Sequence, residues 1–302
     1  MALRIRYSLR MVAGAVTLIC IWVGWIAHQA RQQTAAVAQL RDLRATVGYD
    51  RRPEELYVPT WIRASLGDDY FINVVEVSLH DQRSGRQSVE FSTSQITQAV
   101  EAMSQLSRLR QISFNHTRIH DQQLTHFAPL ASRIESLYFN ESHNSNLTGD
   151  GIRHLASWPR LRELTIHSWF LDATHLKHLP NLPALKSFGW CGSLKAEAFE
   201  MIAKCDRLER LSLFSCSFKG SSLLQLRSAK RLKSVFLHNC TAEYSGSWLV
   251  KGDQVVEVDP TQKDYLFRPS GDRIPLHPPD TSFQEWLGQL LPGIEIQEFF
   301  SS

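Results

Sequence analysis

The sequence predicts an α/β solenoid: a curved parallel β-sheet with short helices on its convex side, preceded by an N-terminal transmembrane helix. Three observations carry this. One apolar pattern recurs roughly every 24 residues between Leu109 and Leu237. Within each copy, apolar residues two apart give way to apolar residues three apart. Ahead of the repeats stands Met11 to Ala27, a run of 17 residues without a charge.

The copies read Leu109-Ile112-Phe114-Thr117, Ile134-Leu137-Phe139-Ser142, Leu161-Leu164-Ile166-Trp169, Leu185-Phe188-Trp190-Ser193, Leu208-Leu211-Leu213-Cys216 and Leu232-Val235-Leu237-Cys240. Their first members lie 25, 27, 24, 23 and 24 residues apart. Spacing by two is that of a strand with one buried face. The later pairs Leu124/Phe127, Ile152/Leu155, Leu176/Leu179, Phe199/Ile202 and Leu223/Leu226 are spaced three apart and suit one or two helical turns. Every unit therefore runs strand, turn, helix, return, and the strands must lie parallel. One unit cannot cover its own apolar face, so units stack and cover one another.

From about Val74 to Cys240 the chain resembles the leucine-rich repeat, with the pattern L-x-x-L-x-L-x-x-N/C well filled. The resemblance implies that Thr117, Ser142, Ser193, Cys216 and Cys240 sit at the strand-to-loop corner and bond to backbone of neighbouring units. Trp169 departs from the pattern and implies a distorted corner in its unit.

Both ends of such a stack need covers. Val74-Val77-Leu79 reads as a first, atypical strand with a long polar connection over Asp81 to Gln95. Pro59 to Gly67 reads as a short helix, Pro near its start and Gly past its end, with Trp61, Ile62 and Leu66 over the open end. At the other end, Phe283 to Leu291 reads as a helix with Phe283, Trp286, Leu287 and Leu290 on one side, followed by a strand at Ile294-Glu295-Ile296. Between lies Thr241 to Pro279, rich in Gly and Pro, with strand candidates Val255–Val258 and Tyr265–Phe267. The expected organisation is a basic tail (1–10), an anchor (11–27), a stalk helix (28–52), an N-terminal cap (53–72), the repeats (73–241) and an irregular segment with C-terminal cap (242–302).

Seventeen residues is the short limit for a spanning helix and longer than the usual apolar part of a cleavable signal. The segment reads as an uncleaved anchor. Ala27, Ala30 and Ala35-Ala36 leave cleavage as a signal peptide open. Arg4, Arg6 and Arg10 in front keep the N-terminus cytoplasmic and put the repeats on the extracytoplasmic side, periplasm or cell surface. Ala36, Val37, Leu40, Leu43 and Val47 form a helical stripe beyond the anchor. It reads as a stalk, or as a face for self-association with a copy of this chain. Anchor, alanine-rich stalk and the Trp61–Phe71 stretch together resemble the lead-in of bacterial membrane-anchored leucine-rich-repeat proteins, a resemblance that implies no activity.

Of 33 basic residues, three lie in 1–27 with no acid, which leaves 30 against 30 in the remainder. A neutral remainder excludes nucleic acid as a general partner. One local excess stands out: Lys204, Arg207, Arg210, Lys219, Arg227, Lys230, Arg231 and Lys233 outnumber Asp206 and Glu209. The acidic tail after Arg273 either packs on these units or leaves a patch for an anionic partner. Five cysteines without C-x-x-C exclude a zinc ribbon. G-x-S-x-G, a Gly-rich phosphate loop and H-E-x-x-H are all missing. His167 beside Cys191 is the one adjacent pair with metal-ligand chemistry, and a site needs three or four ligands. No catalytic residue, cofactor or metal site is expected.

The residue after the last strand apolar forms one concave row: His80, Asn115, Asn140, His167, Cys191, Phe214 and His238. The central row is Ser78, Ser113, Tyr138, Thr165, Gly189, Ser212 and Phe236. Contact sites concentrate aromatic and Arg side chains. Phe214, Phe236 and His238 beside Arg210 are therefore the candidate partner contact, with Tyr138 and His167 as further candidates. An exposed aromatic that merely packs on its neighbour explains the cluster equally well. The expected function is non-catalytic: a membrane-tethered repeat protein binding an as yet unidentified protein partner through its concave face. Two alternatives stay open: an enzyme with a site in 242–279 or the cap, and a subunit assembling through its stalk helix.

Overall fold

The computed structural model describes residues 9–52, 55–80, 89–140, 147–167, 173–238, 240–243, 247–251, 254–258, 265–267, 273–275, 291 and 293–299. Nine strands build one sheet in the order of the chain. They are β1 (Thr46–Tyr49), β2 (Val74–His80), β3 (Gln111–Asn115), β4 (Ser136–Asn140), β5 (Glu163–His167), β6 (Ser187–Cys191), β7 (Arg210–Phe214), β8 (Ser234–His238) and β9 (Glu295–Phe299). From β2 to β9 all pairs are parallel and in one register, so that Val77, Ile112, Leu137, Leu164, Phe188, Leu211, Val235 and Ile296 form a single rank.

The six members of that rank from Ile112 to Val235 are at most 1 % exposed. Phe114, Phe139, Ile166, Trp190, Leu213 and Leu237 are buried beside them, as are Leu109, Ile134, Leu161, Leu185, Leu208 and Leu232. Phe114 stacks on Phe139 at 5.1 Å between centroids and meets Phe127 edge-on at 5.4 Å, both favoured aromatic geometries. The helices are α1 (Leu9–Asp42), α2 (Thr60–Leu66), α3 (Thr93–Gln105), α4 (Asp121–Leu124), α5 (Gly149–Leu155) and α6 (Ala196–Ala203). Three returns are 3-10 turns, Thr125–Leu130, Ala173–Asn181 and Gly220–Ser228. The apolar pairs spaced by three all fall on these elements and are buried. Helical returns are wider than strands, which bends the stack with the sheet inside.

Three of the four described corners behave as the repeat implies. Thr117 Oγ1 donates to the Leu79 carbonyl (2.9 Å), Cys216 Sγ to that of Trp190 (3.5 Å) and Cys240 Sγ to that of Leu213 (3.3 Å). Each bond satisfies a carbonyl of the preceding rung. The residue before two of these corners takes the left-handed conformation, His116 at φ 53° and Ser215 at φ 48°. Their N–H groups donate to Asn140 and His238 of the next rung (2.8 and 2.7 Å). Ser193 is a correction: it is exposed and fills no buried corner, because Gly192 at φ 128° carries the turn and Leu194 takes the inward place. Ser142 and Trp169 lie outside the described residues.

The N-terminal end departs most from expectation. The helix does not stop at a free stalk. α1 is continuous, and its second half lies against α3 and the turn Asp68–Tyr70. Ala30, Gln33, Ala36, Val37 and Leu40 are buried at helical spacing. Gln33 Nε2 donates to the Ile72 carbonyl (2.8 Å), and its Oε1 accepts from the Val74 N–H (3.2 Å). The stripe read as a stalk or self-association face is thus covered by the chain itself. Thr46–Tyr49 then runs antiparallel to β2, so Val47 belongs to a strand and not to the helix. The cover read for Trp61, Ile62 and Leu66 is also corrected. α2 buries no residue, and Trp61 and Leu66 are 70 % and 49 % exposed, since α1 and β1 already close the stack.

α3 occupies the end of the polar connection and beyond. Its capping box is written in Ser92-Thr93-Ser94-Gln95: Gln95 N–H donates to Ser92 Oγ (3.3 Å) and Ser92 N–H to Gln95 Oε1 (2.9 Å). Arg133 of the next unit donates to the Leu106 and Ser104 carbonyls (3.0 Å each), closing the other end.

At the C-terminus β9 extends the parallel sheet and Leu291 is buried in the core. The helix read over Phe283 to Leu290 lies outside the described residues. Within 242–279, Ser247–Lys251 pairs antiparallel with Gln254–Val258, and Tyr265–Phe267 with Arg273–Pro275, so both strand candidates form strands.

An aspartate introduced at adjacent positions should separate the two sheet faces. Leu164→Asp puts an unpaired charge in the core, at a cost of several kcal/mol, while Thr165→Asp points outward. Limited proteolysis should cleave the first variant rapidly and the second at the native rate. Equal rates would contradict the register.

Candidate functional site

Outward residues of the strands form three ranks on the concave face. One is Glu76, Gln111, Ser136, Glu163, Ser187, Arg210, Ser234 and Glu295. The central rank runs from Ser78 through Tyr138 and Thr165 to Phe236, and the last from His80 through His167 and Phe214 to His238.

The half nearer α1 is polar and satisfies itself from rung to rung. Ser113 Oγ donates to Glu76 Oε1 (3.3 Å) and Asn115 Nδ2 to Ser78 Oγ (2.7 Å). Ser136 Oγ and Tyr138 Oη both donate to Glu163 Oε2, at 3.0 and 3.1 Å. Burial first, then the Glu163 carboxylate, pushes the Tyr138 phenol up to about 12. Tyr138 is thereby committed within its own face and stands apart from the other candidate contacts.

The half nearer β9 is aromatic. His167 and Phe214 rings lie 4.7 Å apart although β6 runs between their strands, and Phe214 and His238 rings lie 6.2 Å apart. The Arg210 guanidinium carbon sits 5.9 Å from the centroid of Phe236, within cation–π range. Five of the six candidate residues, Arg210, Phe214, Phe236, His238 and His167, therefore form one continuous surface. Between His167 and Phe214 the register places Cys191 of β6, whose other outward residues, Ser187 and Gly189, are small too. A Cβ at Gly189 would come within 2.7 Å of Thr165 Oγ1, so only hydrogen fits there. Cys191 is buried beneath the rings. Gly189 and Cys191 stood in the sequence ranks, but contact across two strands did not follow from them. The same strand turns Phe188 and Trp190 inward.

Burial pushes the His167 imidazole below its ordinary pKa and the Cys191 thiol above its own, so both are neutral. His167 Nε2 is buried without a hydrogen-bond partner among the described residues. The pair is uncharged and sits where β5 and β6 are in register. Among the described residues no group of three or more His, Cys, Asp or Glu is placed to hold a metal ion.

Charge is organised along the edge where the strands begin. Glu135 faces Arg110 (4.0 Å) and Arg162 (3.7 Å), and Glu209 faces Lys186 (3.3 Å) and Lys233 (2.6 Å). Each glutamate links the rungs on either side. In the basic last units Lys204 pairs with Glu200 (2.7 Å) and Lys230 with Asp206 (2.9 Å). With Lys233 on Glu209, much of the local excess is answered within the units, and β9 of the acidic tail lies directly against β8.

Register, repeat and corner bonds together define a leucine-rich-repeat solenoid with an N-terminal helix. No protein-family model and no curated protein matches the chain. Among solved structures it is similar to an internalin C2 of Listeria monocytogenes, with 14% identity over 58% of this chain and 74% of that one and a TM-score of 0.32. A second internalin of the same organism gives 14% identity over 80% and 88%, with a TM-score of 0.33. The fold assignment rests on the strand register and not on these superpositions.

His167 gives the face a pH signature. The unfolded chain takes up its proton near the ordinary value of 6.5, the folded chain only below it. Stability is unaffected above that range and falls as pH drops through it. The loss of melting temperature between pH of about 7.5 and about 5.5 should be smaller in His167→Phe than in the native chain. Equal losses would contradict a neutral, buried imidazole.

Proposed function

We propose that this chain is a non-catalytic, membrane-tethered leucine-rich-repeat protein of the bacterial membrane-anchored type. It binds another protein through the concave face on the extracytoplasmic side. The observation that supports this best is the division of that face. One half spends its polar groups on its own hydrogen bonds, and the other leaves Arg210, Phe214, Phe236, His238 and His167 in one aromatic and cationic surface. Such surfaces supply most of the binding free energy at interfaces.

The tether rests on α1. It is long and apolar enough to cross a membrane by length and composition, and residues 13–25 bury nothing in the fold. The preceding arginines orient it with the N-terminus in the cytoplasm. Binding through a free stalk is not part of the proposal, because the stripe it needs is buried.

A photo-reactive residue at Phe236 of the full chain, in intact cells, should yield a discrete protein adduct, and one at Arg118, on the short strand Thr117–Arg118 outside the nine-stranded sheet, should not. Loss of a hot spot worth about 2 kcal/mol weakens binding roughly 30-fold. Phe214→Ala should therefore nearly abolish the adduct. An adduct of unchanged yield, or equal adducts from both positions, would place the contact elsewhere.

A further inference from the structure

The junction between α1 and the first rungs forms an open cavity of about 210 Å³. One wall is Trp25 and Ile26, and the other includes Asp69, Tyr70, Gln105 and Arg108. Its height is fixed by the helix. Residues 13–25 are exposed along their whole length, and burial against the fold begins at Ile26. If the exposed stretch lies in the bilayer, the cavity opens where the helix leaves it, at the depth of the headgroups, where Trp side chains concentrate.

We propose that this cavity holds the headgroup of a zwitterionic phospholipid bearing a primary ammonium. The inference rests on the membrane tether proposed above. Arg108 is exposed and supplies a forked donor for the phosphate. Asp69 supplies the counter-charge for the ammonium. Its carboxylate is already oriented by Gln33 Nε2 on Oδ1 (3.1 Å) and Thr34 Oγ1 on Oδ2 (2.8 Å), both from α1, and each oxygen keeps a further lone pair. One cation and one anion thus line a single cavity, which matches a headgroup carrying both charges better than a purely anionic one. Trp25 and Ile26 face the apolar start of the lipid. The volume lies below that of ordinary small-molecule pockets and suits a headgroup.

The test uses the full chain reconstituted in vesicles, with lipid retention read by native mass spectrometry. With phosphatidylethanolamine and phosphatidylcholine in equal amounts, the first should be retained about tenfold over the second, because a trimethylated ammonium cannot donate to Asp69. Arg108→Gln should lower retention of both. Asp69→Asn should erase the preference between them while the chain still floats with vesicles. Equal retention of the two lipids by the native chain, or a preference unmoved by both variants, would overturn the proposal and leave the tether standing. A chain that floats with no vesicle at all would remove the tether and the proposal together. Displacement of the lipid by free O-phosphoethanolamine at equal concentration would assign the cavity to a water-soluble ligand instead.

Discussion

A single rung of this molecule cannot cover its own apolar face. Each strand presents Leu-x-x-Leu-x-Leu inward, and each return presents two residues spaced by three. Neither set has enough partners inside one unit to leave water. Burial therefore requires the next rung in register, because a slip of one residue would turn the inward set outward. The rank from Val77 to Ile296 is the consequence. The corners add hydrogen bonds that follow the same logic: Thr117, Cys216 and Cys240 each answer a carbonyl of the rung before.

Such a stack has two open ends, and this chain treats them by different means. At the far end it adds one more parallel strand, β9, from a segment 57 positions along from His238 at its nearest. At the near end it lays the second half of α1 over α3 and turns β1 back against β2. Residues 13–25 of the same helix are apolar and uncovered. The uncovered stretch and the end cover are thus one continuous helix of 34 residues, roughly 50 Å long. A helix of this kind ties the orientation of the concave face to its own, whatever medium surrounds its first half.

The repeat was legible in the sequence because burial alone dictates its residues. The inward positions tolerate little besides Leu, Ile, Val, Phe and Trp, and their spacing reports the register directly. What was illegible depended on contacts between distant segments. The stripe Ala36, Val37 and Leu40 reads identically whether it meets another copy or the chain's own α3. Thr46–Tyr49 carries too few residues to announce a strand. α3 did carry a signal, the Ser92/Gln95 capping box, but it sat at the edge of a polar connection. On the concave face the aromatic residues could be ranked from sequence, and Arg210 with Phe236 and Phe214 with His238 followed from adjacency. The closure of His167 onto Phe214 did not, because it crosses β6 over Cys191, the residue in register between them. Tyr138 looked equivalent to Phe236 in its rank and differs only through its bond to Glu163.

The central claim is that the strands form one continuous stack in register. The distance between exposed residues far apart along it tests this most directly. Arg110 and Lys233 begin strands separated by five rungs along the charged edge. Genetically encoded spin labels at these two positions should give one narrow distance distribution centred on five strand spacings, roughly 24 Å. A broad distribution, or a distance well beyond that span, would show that the rungs do not share one stack.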